Sequence, residues 1–234
     1  MMLPTIKTPE YELTLPISKE VVTYRPFLVR EEKMFMMLKE GTDQNHILNN
    51  MKKIVSQCIV NGPDVNKISY NDFEFLFLNM RIRSIGEELD IHIKCSKCEK
   101  PTPVSVSLED VVVKVKEGDN NQKKIMINDD VGVICSPMKM QHVGDALISA
   151  ERDPITAVIH FIDSVFTKDQ VYKFDEVDQK ERKAFVDSLS MKVVTEIIEF
   201  VDGLPAAEAD IKYTCASCGH ADTYNVKGLQ NFFM

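Results

Sequence analysis

Asp90-Ile-His-Ile-Lys-Cys95-Ser-Lys-Cys98 and Asp210-Ile-Lys-Tyr-Thr-Cys215-Ala-Ser-Cys218 are the two stretches on which the reading of this chain turns. Moving one by 120 positions superimposes the cysteines without a gap. The flanking apolar alternation superimposes too: Ile91 with Ile211, Ile93 with Tyr213, Val104 with Tyr224 and Val106 with Val226. Alternation at period two on both sides of a tight turn predicts a β-hairpin whose tip carries the thiols. Two such tips supply four thiolates, the number a tetrahedral structural zinc site requires.

Working outward, the sequence suggests an internally duplicated chain. Ile47, Met51, Ile54 and Cys58 align with Ile155, Ile159, Ile162 and Phe166, so amphipathic segments precede each cysteine pair. The expected fold class is α+β, with helical layers, short β-hairpins and two pseudo-repeats, each ending in a Cys-x-x-Cys knuckle. The corresponding segments are an N-terminal half at 1–108, a β-rich connection at 109–137 and a C-terminal half at 138–234.

Local patterns fill in this outline. Tyr11 to Leu15 and Val21 to Tyr24 alternate around a Pro-Ile-Ser-Lys-Glu turn, predicting a hairpin. A helix opens at Val29, carries Met34, Phe35, Met37 and Leu38, and stops at Gly41. Thr42 or Asp43 caps a second helix, in which Ile47, Met51, Ile54, Val55 and Cys58 keep helical spacing up to Asn61-Gly62-Pro63. A third helix runs from Asn71 or Asp72 towards Ser84 and is apolar nearly all round, the mark of a helix buried between layers. Beyond the first knuckle, Val111–Val115, Lys124–Ile127 and Val131–Ile134 read as strands that extend the hairpin into a small sheet or arm, with a turn at Gly118 to Asn121. Asp153-Pro154 reads as the start of a helix from Ile155 to Phe166, and further helices are expected over Gln179–Leu189 and Met191–Val201.

Bulk properties exclude several function classes. The chain of 234 residues is 44% hydrophobic and 27% charged, which allows one large domain or two coupled lobes. A net charge of −8 argues against a large nucleic-acid surface, which needs a basic face. The first residues lack the apolar core of a signal peptide, and no uncharged apolar stretch approaches the ~18 residues of a membrane span. A reducing cytoplasm is the expected place of synthesis and assembly, and there paired Cys-x-x-Cys motifs favour metal over disulfide. Cys58 and Cys135 lie in apolar contexts and read as buried small hydrophobes.

Cys95, Cys98, Cys215 and Cys218 are therefore the candidate metal ligands, with one structural Zn2+ expected. The 116 residues between the motifs make this a site assembled by tertiary contact rather than a simple zinc ribbon. Independent redox pairs, four-thiolate iron and metal-free motifs are the competing readings. Four thiolates leave a zinc ion no open position for water, so a catalytic metal is disfavoured. No Gly-rich phosphate loop, Gly-x-Ser-x-Gly elbow or His-x-Glu deaminase pattern is present. His160 sits in an apolar segment and reads as a core histidine. Nothing points to an enzyme, a catalytic residue or a small-molecule substrate. Met34, Phe35, Met36 and Met37 cover more than one face of their helix and are the favoured partner-binding residues.

A resemblance adds to this reading. Thr23-Tyr-Arg25-Pro-Phe27-Leu-Val-Arg-Glu31-Glu-Lys33, Asp72-Phe-Glu74-Phe-Leu-Phe-Leu78 with Arg81, Arg83, Ser84, Ile85, Gly86 and Glu87, and Leu13-Thr-Leu-Pro16 resemble the baseplate hub assembly protein of T4-like contractile-tailed phages. The resemblance is good from about residue 8 to Cys98, moderate around the knuckles and weak from 110 to 205. It implies a non-enzymatic role in building the central hub of the tail baseplate, with other baseplate or hub proteins as partners. It also implies a place in the virion baseplate, or in the host cytoplasm during assembly. The competing function is a zinc-ribbon nucleic-acid-binding module, supported by Lys94, Lys97, Lys100, Lys212 and His220 near the tips.

Overall fold

The alternating stretches at the start of the chain pair as expected. β1 (Tyr11–Thr14) and β2 (Val21–Tyr24) form an antiparallel hairpin that ends with Thr14 opposite Val21. Helices α1 (Val29–Lys39) and α2 (Gln44–Cys58) follow, and β3 (Ile59–Asn61) returns to pair with β2. The description rests on a computed structural model and covers residues 6–39, 44–86, 88–107, 112–113, 121–153 and 155–227. The chain divides into two compact units, one of Met1–Val65, Asn71–Lys114 and Ala206–Met234, the other of Asn66–Tyr70 and Val115–Pro205.

In the first unit the central element is α3 (Tyr70–Ile85), the segment that reads as apolar on all faces. Phe73, Leu76, Phe77, Leu78 and Met80 are all buried. Phe27, Phe35 and Phe77 stack edge and tilt at centroid distances of 4.9 to 5.5 Å, which sets α1 and the end of β2 against the helix. Leu78 instead belongs to a core shared with two hairpins, β4 (Glu88–Lys94) with β5 (Pro101–Ser107) and β11 (Ala207–Thr214) with β12 (Ala221–Lys227). The inward residues Ile91, Ile93, Val106, Ala209, Ile211 and Tyr213 fill that core. A short β6 (Val112–Val113) pairs with the start of β11.

The three contiguous segments read from the sequence differ from this division. The last hairpin packs with α3 and the strands at 88–107, so all four cysteines fall in one unit rather than joining two halves. The expected strand at 111–115 is described only as Val112–Val113, and the turn at 118–121, the stop at Gly41 and the caps at Thr42 or Asp43 lie outside the described residues apart from Asn121.

The second unit is built on an antiparallel sheet in the order β10-β9-β8-β7. Its strands are β7 (Lys123–Met126), β8 (Gly132–Cys135), β9 (Ile162–Phe166) and β10 (Val171–Lys173). The segments at 124–134 are therefore strands of this sheet, not an arm of the first knuckle. Gly132 is required by close approach, since a Cβ there would collide with the Phe166 ring on the paired strand. Helices α4 (Val143–Arg152), α5 (Gln179–Asp187) and α6 (Met191–Asp202) complete the unit. Ser190 caps α6 and Asp178 caps α5, each side chain accepting from a first-turn N–H. Val193, Val194 and Ile197 of α6 bury against Ile125, Val133 and Cys135.

The expected helix at 155–166 is corrected by the structure. Thr156–Phe161 is 3-10 helix and Ile162–Phe166 is strand β9. The run is rich in β-branched residues, and from Ile162 it alternates, with Ile162 and Ser164 buried. Pairing with β8 and β10 rewards that pattern over a weak helical period. With α2 matched to a 3-10 turn and a strand, the proposed repeat of whole halves has no helical counterpart. Position 154 lies outside the described residues.

One buried ion pair ties the first unit together. Glu31, with a side chain 0% exposed, accepts from Arg25 Nη2 at 3.0 Å, from Arg30 Nε at 2.6 Å and from the Leu28 N–H at 2.8 Å. The Leu28 contact is half of a capping box at the start of α1. Arg25 also donates to the Gln57 carbonyl at the end of α2. Burial pushes the Glu31 pKa up, but the hydrogen bonds from Arg25, Arg30 and Leu28 outweigh it and hold it at about 2, against an ordinary 4.5. Its stabilisation is thus fully present above pH 4.5 and lost as pH falls towards 2. Glu31→Gln should cost about 3 kcal/mol at neutral pH, the usual penalty for breaking a buried pair. It should also flatten the acid limb of a Tm-against-pH curve, and identical limbs for variant and parent would contradict the pairing.

Candidate metal centre

Each knuckle grows out of its hairpin by the same hydrogen bonds. In the first, Cys95 N–H donates to Lys100 O at 3.1 Å and Glu99 N–H to Cys95 O at 2.9 Å. In the second, Cys215 N–H donates to His220 O at 2.8 Å and Gly219 N–H to Cys215 O at 2.9 Å. The strands close at Lys94 opposite Pro101 and at Thr214 opposite Ala221. Glu99 and Gly219 both take positive φ, 59° and 69°. The alternation and spacing of the two stretches thus encode one local structure twice.

A third copy of this turn went unread in the sequence. In the β1–β2 hairpin, Leu15 N–H donates to Glu20 O at 2.9 Å and Lys19 N–H to Leu15 O at 3.1 Å, with Lys19 at φ 61°. Leu15 and Ser18 occupy the places of the two cysteines. The amides of Ile17 and Ser18 point at the Asp72 carboxylate instead, at 2.7 and 3.0 Å. The signal available was the equal loop length, masked because no cysteine marked it.

The structure brings Cys95, Cys98, Cys215 and Cys218 together, with all four Sγ atoms within 4.8 Å of one another, and the set could hold a metal ion. Cys95 Sγ lies 3.7 Å from Cys218 Sγ and Cys98 Sγ 3.6 Å from Cys215 Sγ. A tetrahedral ion with bonds of about 2.3 Å places its sulfurs about 3.8 Å apart, so the set fits such an ion. Donors surround the sulfurs: Lys97 N–H reaches Cys95 Sγ at 3.4 Å and the Thr102 hydroxyl reaches Cys215 Sγ at 3.5 Å. Between the tips, Ser96 Oγ donates to Asp222 Oδ2 at 2.6 Å.

Cys215 and Cys98 titrate unlike one another. The Thr102 hydroxyl, then the amides of Cys218 and Ser217, hold the Cys215 thiol down to about 5. At Cys98 the Lys100 amide lowers the pKa, but burial and hydrogen bonds to the neighbouring sulfurs raise it to about 11. Four thiolates in contact cannot all carry charge without a cation among them. Cys58 and Cys135 are buried away from this set, and burial pushes their thiols up to about 11 and about 12.

The methionine-rich helix places its residues differently. Met34, Met36 and Met37 are exposed, at 38, 66 and 75%, whereas Phe35 turns inward onto Phe27 and Phe77. In the second unit His160 is half-buried, with its Nε2 at 3.4 Å from Ser149 Oγ, and burial lowers its pKa.

Residues 8–234 match the family described as T4 bacteriophage base plate protein. The chain belongs to this family. Comparisons with curated proteins and with solved structures found no match. Family membership supports a structural role in a phage baseplate, as the resemblance in Thr23 to Lys33 and Asp72 to Glu87 led one to expect.

Two predictions come from the centre. Cys95→Ser should release the metal and lower the Tm of the unit that holds both hairpins, because the binding energy of a structural metal is folding energy. Metal analysis should find one ion per chain in the parent, and an unchanged metal content in the variant would rule out Cys95 as a ligand. Second, Glu99→Gly should stabilise the protein by about 1 kcal/mol, since glycine adopts positive φ without a Cβ penalty. Gly219→Ala should destabilise it by a similar amount on backbone grounds alone, because a Cβ there meets nothing within 4 Å. Urea midpoints moving in opposite directions would establish the shared turn.

Proposed function

We propose that this baseplate-family chain is a non-catalytic structural or assembly component of the hub of a T4-like phage tail, acting by protein–protein contact. The family match over residues 8–234 carries the reading. On this reading its partners are other baseplate or hub proteins, and it works in the virion baseplate or in the host cytoplasm during assembly. Among the described residues no helix is long and apolar enough to cross a membrane.

The centre is read as one structural Zn2+ bound by Cys95, Cys98, Cys215 and Cys218. A closed four-sulfur set supports this: it offers binding energy to the fold and no free position for substrate. The contact surface is read as Met34, Met36 and Met37 with neighbouring Val29, which is 72% exposed. Flexible, polarizable methionines suit an adaptable interface. Phe35 supports this face from beneath through its ring contacts with Phe27 and Phe77.

Co-purification from infected cells, followed by cross-linking of isolated baseplates, tests the hub assignment; cross-links only to peripheral baseplate proteins would overturn it. Met36→Glu with Met37→Glu should leave the unfolding free energy within about 1 kcal/mol of the parent, as surface changes do, yet abolish incorporation into baseplates. Normal incorporation would remove this helix from the interface. Lys94, Lys97, Lys100 and Lys212 are exposed beside the knuckles, so a salt-dependent shift of DNA or RNA would instead favour a nucleic-acid module.

A further inference from the structure

Two sulfur contacts run between the hairpins, within a set whose four Sγ atoms all lie within 4.8 Å of one another. Cys95 meets Cys218 at 3.7 Å and Cys98 meets Cys215 at 3.6 Å. Each contact joins a buried sulfur to a more accessible one, since Cys95 and Cys215 are buried, Cys98 is intermediate and Cys218 is exposed. That is the arrangement of a thiol that meets oxidant beside one that resolves it. A disulfide spans about 2.05 Å, so each pair must close by only about 1.6 Å.

We propose that the four-cysteine set is an oxidation site, in which a peroxide converts the metal-binding clamp into two covalent cross-hairpin links, Cys95–Cys218 and Cys98–Cys215. At Cys218 the thiolate attacks one oxygen of hydrogen peroxide, the O–O bond breaks, hydroxide leaves and a sulfenic acid remains. The Cys95 thiolate then attacks the Cys218 sulfur, the S–S bond forms and the S–O bond breaks to release hydroxide. Two electrons pass from the sulfur pair to one peroxide. At the second pair the Cys98 thiol first gives its proton to solvent, and Cys98 and Cys215 then repeat the sequence with a second peroxide. Any cation the thiolates held is released unchanged in oxidation state if it is zinc.

The joint between the two hairpins thereby survives loss of the metal. A phage particle that leaves a reducing cytoplasm for an oxidising medium meets this change of conditions. Cys58 and Cys135 do not compete, being buried away from the four-sulfur set. The inference rests on contact among the four sulfurs, not on which metal they bind.

The test uses the purified full chain, treated with hydrogen peroxide in the presence of a chromogenic chelator, then alkylated and digested with trypsin. Cleavage after Lys94 and Lys97 separates Cys95 from Cys98, while Cys215 and Cys218 stay together in the peptide 213–227. The expected product links the Cys95 peptide and the Cys98 peptide to 213–227, with fragmentation between Cys215 and Cys218 assigning each partner. Cys58 and Cys135 should be recovered alkylated. Disulfides within a motif, or Cys95 paired with Cys215, overturn the proposal. The oxidised protein should also melt several degrees above the reduced, chelated protein, and equal Tm values would overturn the covalent clamp. Metal content before oxidation reports separately on the zinc reading, so either can fail without the other.

Discussion

A helix buried on every face must find partners for whatever polar groups it carries, and α3 carries two carboxylates with 0% exposure, Asp72 and Glu74. Two residues apart on an α-helix are about 200° apart, so these acids point to different sides. Asp72 accepts the Ile17 and Ser18 amides of the first hairpin turn. Glu74 accepts the Ala207 N–H, where β11 begins, at 2.9 Å. A stretch near the start of the chain and one beyond residue 200 are thus fixed to one helix by charge-assisted bonds whose loss would strand a buried charge. The placement of the last hairpin, and with it the assembly of four sulfurs, depends on that constraint.

The residues that carry the family resemblance are joints of the first unit. Arg25 and Glu31 connect the end of β2 with α1 and, through the Gln57 carbonyl, α2. Ser84 Oγ accepts the Phe27 N–H at 2.7 Å, and Arg83 lies 5.0 Å over the Tyr11 ring. Each is a polar contact that sets the angle between elements where apolar packing alone would leave it loose. A signature made of such joints identifies an architecture without marking a chemical site. On the proposed reading as an assembly protein, the working parts would lie on outer surfaces, such as the exposed methionines of α1.

The legibility of the sequence followed from how much each element depended on distant partners. The hairpins at 11–24, 88–107 and 207–227 and helices α1, α2, α3, α5 and α6 follow from local alternation, caps and turn residues. Cys58 and Cys135 were legible as buried residues for the same reason. The segment 155–166 was not, because its strand exists only through pairing with β8 and β10. Helix α4 was missed although Val143, Ala146, Leu147 and Ala150 keep a helical period, because Gly144 and the lack of a side-chain cap leave its start unmarked. The repeat of halves is not confirmed on the same point: matched hydrophobic spacing alone does not choose helix over strand, and pairing with β8 and β10 decides it at 162–166. The cysteines were legible as a set because metal ligation needs particular atoms at particular spacing, but their membership of a single unit was not.

Comparison of the three like turns shows what the sulfurs do. Every copy directs amide groups towards one point, so every copy needs an acceptor there. The β1–β2 turn meets an aspartate that α3 supplies. The two cysteine turns face each other and supply their own acceptors, with Cys95 and Cys215 receiving N–H or O–H donors. A carboxylate is content with amides alone, whereas four sulfurs in mutual contact repel as they ionise. As thiolates the sulfur turns therefore need a further partner that the first turn does not, such as a cation, and without one they must keep protons. Replacing an internal anchor by that requirement makes the joint between the two hairpins conditional on its chemical surroundings, while the first hairpin remains fixed by the fold.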